Sequence, residues 1–222
     1  MVGPMTRVDY SPLLADDPVI AVLRADHARE YPPVIDALVA GDVCAIELTL
    51  STAGVFDRMK DLVAEFGNAA IGLGTVTTGA QAETAIDNGA KFIVSPTAEL
   101  DVIRVASDAG VPVFPGGLTP TELYRCWDAG ASAVKLFPAS WVGPRAIADI
   151  QGPFPDMKII PSGGVGLDDV DAWIAAGAPA VSIGGPLVGD AFNGGDLVAL
   201  SVRARQFRTA AVDAIARRKA AR

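Results

Sequence analysis

The sequence is poor in the residues that bind metals and cross-link chains. It has one histidine, His27, and two cysteines, Cys44 and Cys126, that form no metal-binding or redox motif. His27 falls inside a predicted helix, so a Ser-His-Asp triad is not expected. Both cysteines lie in apolar or helical surroundings, which predicts free, reduced thiols. Any metal site would have to be built from carboxylates, and no suitable set follows the predicted strands, so we expect no metal.

Long apolar runs and excess positive charge are also absent. No apolar stretch approaches the length of a membrane span, and the N-terminus lacks the pattern of a signal peptide, so a cytoplasmic protein without membrane contact is expected. The formal net charge is −8, which argues against nucleic acid as a partner. With 50% hydrophobic residues in 222, the chain is long enough for one large domain with a buried core.

What the sequence does contain is a repeated pattern of a short apolar strand followed by a helix. After a leader over residues 1–17, with a helical turn around 11–17, eight such units run from residue 18 to a final helix at about 196–219. The strands are nearly continuous in apolar residues, as is typical of parallel strands buried on both faces. We therefore predict a single (β/α)8 TIM barrel over residues 18–222. An open doubly wound sheet is the alternative, but no Gly-rich dinucleotide-binding loop follows the first strand.

One lysine has an unusual position. Active sites of such barrels lie at the C-terminal ends of the strands, and of five lysines only Lys135 lies near such an end. It belongs to a short apolar run, AVKLFP, at residues 133–138. Burying an ammonium is costly, and a neutral amine is the form that attacks a carbonyl to give a Schiff base. The alternative is a lysine that reaches solvent or pairs with a carboxylate.

A glutamate on the second predicted strand is the matching carboxylate. Strand alternation gives Glu47 and Thr49 the same parity, so both can point inward beside Lys135. A carboxylate in an apolar barrel can carry protons at neutral pH, whereas the alternative is a structural salt bridge with Lys135 or Arg24. The rule that active sites lie at the C-terminal ends of the strands, called the strand-end rule below, places further residues at the same end of the barrel, its mouth. These are Arg24, Thr49, Thr75, Ser95, Pro96, Phe137 and Ser162.

Two pairs of glycines follow the last two predicted strands. They are Gly163-Gly164 and Gly184-Gly185. Loops after these strands often bind phosphate through backbone N–H groups, and glycine lets an oxyanion approach the main chain closely. The alternative is that the glycines only serve tight turns. Two pairs on adjacent strands favour a phosphate or carboxylate site.

Several motifs, in this order and spacing, resemble the class I KDPG aldolase family. That family includes the 2-keto-3-deoxy-6-phosphogluconate (KDPG), 2-keto-3-deoxy-6-phosphogalactonate (KDPGal) and 4-hydroxy-2-oxoglutarate (KHG) aldolases. The motifs are PVIAVLR (18–24), AIELTL (45–50), IGLGTV (71–76), FIVSP (92–96), PGGLTPTE (115–122), VKLFPAS (134–140) and SGGV (162–165). The resemblance implies a homotrimeric lyase without metal or cofactor that cleaves a small keto acid into pyruvate and an aldehyde.

The resemblance also implies roles for single residues. Lys135 matches the Schiff-base lysine that attacks the 2-keto carbon, and Glu47 matches the general acid and base. Thr75 matches a residue that contacts the pyruvate portion, and Pro96 and Phe137 match residues that shape its pocket. The family's phosphate position falls on Gly163, Gly164, Gly184 and Gly185.

Two positions depart from the family pattern. Many members carry a carboxylate-binding arginine where this chain has Ser51, so Arg24 is expected to supply the charge, with Thr49 and Ser51 as further substrate contacts. Members often carry a phosphate-binding serine where this chain has Pro186, which offers neither a hydroxyl nor an N–H. The expected reaction is cleavage of a KDPG-type substrate to an aldehyde such as glyceraldehyde 3-phosphate. The alternatives are KDPGal or KHG cleavage, a phosphosugar epimerase or isomerase, and a non-catalytic binding barrel.

Overall fold

Strands and helices alternate along the chain in this computed structural model, which describes residues 7–15 and 17–221. The strands are β1 Val19–Leu23, β2 Ala45–Thr49, β3 Ala70–Gly74, β4 Ile93–Val94, β5 Val113–Phe114, β6 Gly116–Gly117, β7 Val134–Leu136, β8 Ile159–Pro161 and β9 Val181–Ile183. The α-helices are α1 Ser11–Leu14, α2 Tyr31–Ala40, α3 Val55–Glu65, α4 Gly79–Asp87, α5 Leu100–Asp108, α6 Pro120–Asp128, α7 Arg145–Gln151, α8 Val170–Ala175, α9 Gly185–Val188 and α10 Leu197–Ala220. Short 3-10 turns cover Ala28–Glu30, Ala139–Trp141, Leu167–Asp169 and Ala191–Asn193.

The strands form a curled parallel arrangement. Continuous ladders join six strands in the order β5-β4-β3-β2-β1-β9 and three in the order β6-β7-β8. Pro115 separates β5 from β6, and since proline has no N–H it cannot donate in a ladder; its carbonyl still accepts from the N–H of Lys135 at 2.8 Å. On the other side, a single parallel bridge pairs Ser162 with Ser182. The predicted α/β fold with parallel strands is confirmed, and its continuous ladders join six and three strands.

The described part of the leader lies at the N-terminal ends of the strands. Pro12 and Leu13 share a shallow cleft with Lys91 and Pro112, which precede β4 and β5. Leu14 of α1 is buried in a small apolar cluster inside the sheet. The strand residues of this cluster include Ile20, Val94, Phe114 and Ile160. The helix α1 therefore covers the end of the sheet opposite the one predicted to carry the chemistry; residues 1–6 and 16 of the predicted leader lie outside the described residues.

The first helical segment begins differently from the prediction. His27 was expected inside a helix, but it lies just before the 3-10 turn Ala28–Glu30, and its Nδ1 accepts the N–H of Arg29 at 3.2 Å. The prediction for His27 is therefore wrong, because an imidazole that caps a turn cannot also lie within the helix. The α-helix itself starts at Tyr31.

The longest helix, α10, packs against both α2 and α8. Asp196 caps its N-terminus by accepting the N–H of Val198 at 2.8 Å. Arg217, Arg218 and Lys219 lie in its last turn, where cations interact favourably with the helix dipole. Neither α10 nor any other helix in the described ranges is both long and apolar enough to cross a membrane.

Candidate active site

A cavity of about 370 Å³ opens where the strands end. It is lined by most of the residues predicted for the site. These are Arg24, Glu47, Thr75, Pro96, Lys135, Phe137, Gly163, Gly164, Gly184 and Gly185. As predicted from the position of active sites at strand ends, these lining residues come from β2 and β7 and from the residues that follow β1, β3, β4, β7, β8 and β9.

Lys135 and Glu47 face each other inside this cavity. The Nζ of Lys135 lies 3.6 Å from Oε2 of Glu47, and the two side chains are 8% and 2% exposed. This separation is that of a loose ion pair, longer than a charge-assisted hydrogen bond. Oε2 of Glu47 is buried and has no hydrogen-bond partner among the residues that the structure describes. Since a buried oxygen without a hydrogen bond is unfavourable, this carboxylate is suited to accept a hydrogen bond from a bound molecule.

The strand β3 leaves space for the carboxylate. A Cβ atom at Gly74 would overlap the side chain of Glu47, and one at Gly72 would lie 2.5 Å from the ring of Phe92. Gly72 and Gly74 are two residues apart, so they face the same side of the sheet. The two glycines of β3 therefore have a steric cause: without side chains on this face, β3 leaves room for the carboxylate of Glu47 and the ring of Phe92.

The residue directly after β3 has an unusual backbone. Thr75 lines the cavity and has a φ of 63°, in the left-handed region. β-branched residues rarely adopt this conformation, and such strain concentrates at functional sites. The strained residue therefore lies directly beside Gly74, in the wall next to Glu47.

An aromatic ring and a second cation complete the charged end of the cavity. The Nζ of Lys135 lies 5.5 Å from the ring centroid of Phe137, within the range of a cation–π contact. Arg24, at the end of β1, is exposed and lines the cavity. Its guanidinium makes no hydrogen bond or ion pair with the residues that the structure describes, 7–15 and 17–221. A guanidinium without a protein partner is available to bind a carboxylate.

The opposite end of the cavity is built mainly from main chain. Gly163 and Gly164 have φ values of 87° and 77°. A Cβ at Gly164 would lie 2.6 Å from Ser140, so this turn requires glycine. Gly184 and Gly185 form the facing wall, where α9 begins with Pro186 next in sequence. The lining of this end contains no cationic side chain.

The predicted substrate contacts Thr49 and Ser51 do not line the cavity. Thr49 is fully buried, and its Oγ1 shares hydrogen bonds with Ser51 Oγ at 3.1 Å and Thr52 Oγ1 at 3.5 Å. Strand parity alone assigned Thr49 to the face of Glu47, but its hydroxyl bonds to the turn after β2 instead. Ser95, expected at the same mouth, is likewise buried, and its Oγ accepts the N–H of Thr97.

Sequence reasoning missed part of the lining. The missed residues are Val22, Val188, Gly189, Phe192 and Asn193. The last two belong to the 3-10 turn Ala191–Asn193, which reaches the mouth because Phe192 packs edge-on against Tyr31 with centroids 6.0 Å apart. Gly189 and Gly194, on the two sides of this turn, are the sequence signal from which the turn could have been predicted.

The cysteines lie outside the cavity lining. Both are free, and burial raises the pKa of the Cys126 thiol to about 12. Burial, with the nearby charge of Asp17, also raises the pKa of Cys44. Thiols with raised pKa values are poor nucleophiles. In the described ranges no group of three or more His, Cys, Asp or Glu residues is placed to hold a metal ion.

Comparison with known proteins agrees with this geometry. The family model for KDPG and KHG aldolase matches residues 11–200. A probable 2-dehydro-3-deoxy-6-phosphogalactonate aldolase of Rhizobium meliloti (strain 1021) is 36% identical over 214 residues, covering 95% of this chain and 98% of the relative.

Two solved structures share the fold over nearly the whole chain. A native KDPGal structure is 30% identical with a TM-score of 0.83 and covers 90% of this chain and 96% of its own. A KDPG aldolase from Legionella pneumophila, with pyruvate captured at low pH as a covalent carbinolamine intermediate, is 26% identical with a TM-score of 0.82, covering 88% and 96%. The chain therefore belongs to the KDPG and KHG aldolase family and is an aldehyde-lyase.

Proposed function

We propose that this chain is a class I aldolase that cleaves a 2-keto-3-deoxy-6-phospho sugar acid into pyruvate and an aldehyde such as glyceraldehyde 3-phosphate. The observation that carries the proposal is the buried lysine amine 3.6 Å from a buried carboxylate oxygen in a cavity at the strand ends. The covalent carbinolamine captured in the related Legionella enzyme supports the same chemistry. Lys135 is the nucleophile and Glu47 the general acid and base.

The reaction follows from these two groups. The neutral Nζ of Lys135 attacks the 2-keto carbon, and Glu47 supplies the proton with which the former carbonyl oxygen leaves as water. Glu47, now a carboxylate, takes the proton of the C4 hydroxyl as the C3–C4 bond breaks, which releases the aldehyde and leaves the electron pair in an enamine. A proton delivered to C3 through Glu47 and hydrolysis of the imine release pyruvate and restore the lysine.

The other lining residues bind the two ends of the substrate. Arg24 pairs with the substrate carboxylate, Thr75 contacts the pyruvate portion, and Pro96 and Phe137 shape its pocket. Main-chain N–H groups hold the phosphate at the other end. The glycines that supply them are Gly163, Gly164, Gly184 and Gly185.

A KDPGal-type substrate is the second candidate. It is favoured by the 36% identity to the probable KDPGal aldolase of Rhizobium meliloti, which this chain matches over 98% of its length. Comparing kcat/KM for the two C4 epimers decides between them. Neutral lining around Pro186 is the reason to include an unphosphorylated KHG-type substrate in the same assay.

The proposal extends to the architecture. Residues 18–222 form one closed (β/α)8 barrel after a leader over residues 1–17. On one side, closure is supported by the bridge between Ser162 and Ser182, whose hydroxyl oxygens lie 3.2 Å apart. On the other side, it is supported by the single residue, Pro115, that separates β5 from β6. From the family resemblance we propose a homotrimer, to be tested by sedimentation velocity. The free thiols of Cys44 and Cys126 support a cytoplasmic location.

Borohydride trapping with pyruvate tests the central proposal. Reduction should give one adduct per chain, with the mass of pyruvate less water plus two hydrogens, on the peptide that contains Lys135. The same treatment without pyruvate is the control. A folded protein that forms no adduct in excess pyruvate would refute the imine mechanism and favour an epimerase, an isomerase or a binding barrel.

A further inference from the structure

We infer that Thr52 is a positioning residue for Arg24: with Tyr31 it fixes the main chain on both sides of Arg24, so that the guanidinium is held over the cavity. The inference rests on the proposed role of Arg24 in binding the substrate carboxylate. It assigns a function to hydroxyl groups that line no part of the cavity.

The contacts on the two sides of Arg24 carry the inference. The N–H of Ala25 donates to Oγ1 of Thr52 at 3.1 Å, and the hydroxyl of Tyr31 donates to the carbonyl of Leu23 at 3.4 Å. Both side chains are buried, Thr52 at 2% and Tyr31 at 0% exposure. The peptide groups directly before and after Arg24 are therefore each bonded to a buried hydroxyl, and the bond to Thr52 is the shorter one.

The same turn also holds the chain that follows Arg24. The N–H of Ala53 donates to the carbonyl of Asp26 at 3.3 Å, and the N–H of Ala28 donates to the carbonyl of Ala53 at 2.9 Å. Thr52 itself is fixed, because its N–H donates to the carbonyl of Thr49 at 3.0 Å. The loop after β1 is thus attached to the turn after β2, the strand that carries Glu47.

This attachment matters because Arg24 has little else to hold it. Its side chain is exposed, and the ion pairs of the described residues do not include it. A long side chain loses conformational entropy when it binds an anion, and a fixed backbone limits that loss. Fixing the backbone also limits the positions that the guanidinium can take relative to Lys135, and small misplacements lower the efficiency of a bound reactant. Thr52 therefore affects substrate binding through Arg24.

The test uses pyruvate alone, so that the aldehyde need not be known. Exchange of the pyruvate methyl protons with solvent deuterium, followed by NMR, gives a half-saturating pyruvate concentration and a maximal rate. Thr52→Val keeps the shape of the side chain and removes the hydroxyl. We expect the half-saturating concentration to rise by about 3- to 10-fold, with the maximal rate within about twofold of the parent.

A double-mutant cycle separates positioning from general stability. Arg24→Met should raise the half-saturating concentration, and adding Thr52→Val to it should cause no further rise, because the group that Thr52 positions is gone. Thr52→Ser, which restores a hydroxyl, should recover most of the affinity. Ser132→Ala is the matched control, since the buried Ser132 accepts the N–H of Val113 at 3.1 Å but lines no part of the cavity. It should lower Tm and leave the half-saturating concentration unchanged.

The outcomes that refute the two proposals differ. If Arg24→Met weakens pyruvate binding but Thr52→Val does not, Thr52 has no positioning role and the proposed role of Arg24 stands. Additive effects in the double variant would mean that Thr52 acts on another group, which also overturns the inference. If Arg24→Met leaves pyruvate binding unchanged, the proposed carboxylate contact fails and the inference fails with it.

Discussion

Asp17 makes the stability of this protein depend on pH in an unusual direction. It lies between α1 and β1, and burial raises the pKa of its carboxyl from 3.8 to about 6. The N–H groups of Cys44, Ala45 and Val19, and the charge of Arg208, lower this pKa in part. Oδ1 of Asp17 is buried without a hydrogen-bond partner in the described part of the chain. The folded protein therefore holds the proton of Asp17 more tightly than the unfolded chain does.

The sign and size of the effect follow from the two pKa values. The protonated form stabilises the folded state, so this contribution is complete below pH 3.8 and is lost as pH rises through about 6. Between pH 4.5 and 7.5 the loss amounts to about 2 kcal/mol. Asp17→Asn cannot titrate, so its free energy of unfolding should rise relative to that of the parent by this amount over the same interval.

Urea unfolding of both proteins at several pH values measures the difference. Asp9→Asn is the control, because the exposed Asp9 has its pKa lowered by hydrogen bonds from Ser11. Its contribution to stability is lost only as pH falls below 3.8, so the difference between Asp9→Asn and the parent should stay constant from pH 4.5 to 7.5. A difference between Asp17→Asn and the parent that stays constant from pH 4.5 to 7.5, or that shrinks as pH rises, would show that burial does not raise this pKa.

Three further substitutions test the site. Lys135→Met should reduce aldol cleavage to background and prevent the borohydride adduct while Tm is retained; residual cleavage near the parent rate would remove Lys135 from the mechanism. Glu47→Gln should lower kcat by about 10²-fold or more, because the amide cannot transfer protons, and an unaffected kcat measured over the same pH range would make the pair structural. Gly74→Ala should lower the free energy of unfolding by about 1–3 kcal/mol and reduce kcat, because the new methyl group overlaps Glu47. Its control is Gly67→Ala, where the added Cβ meets no atom within 4 Å; equal effects of the two substitutions in urea unfolding would contradict the steric argument.

The sequence was sufficient to predict that Lys135 and Glu47 meet in the cavity at the strand ends. Lys135 and Glu47 could be identified because burial, strand alternation and the strand-end rule are local properties of short apolar runs. Those rules could not place Thr49, whose hydroxyl bonds to Ser51 and Thr52 in the turn that follows its strand. Side-chain direction at a strand's last residue depends on the following turn, which alternation does not describe.

The remaining differences come from contacts distant in sequence. The turn that carries Asn193 reaches the cavity because Phe192 packs on Tyr31, far away in the chain. The strand β5 ends before Pro115, and the chain continues after this residue as β6. A Cβ at Gly116 would overlap the carbonyl of Pro96, so this glycine is required by a neighbouring loop rather than by its own turn. Such requirements appear only once the neighbouring segments are in place.

The space left at Gly74 has a consequence for directed evolution of this enzyme. Because the carboxylate of Glu47 occupies the volume of a missing side chain, the two positions cannot be varied independently. A library randomised at residue 74 alone should return glycine among its active clones. Because Glu47 is also the proposed general acid and base, new substrate pockets have to come from lining residues other than 47 and 74.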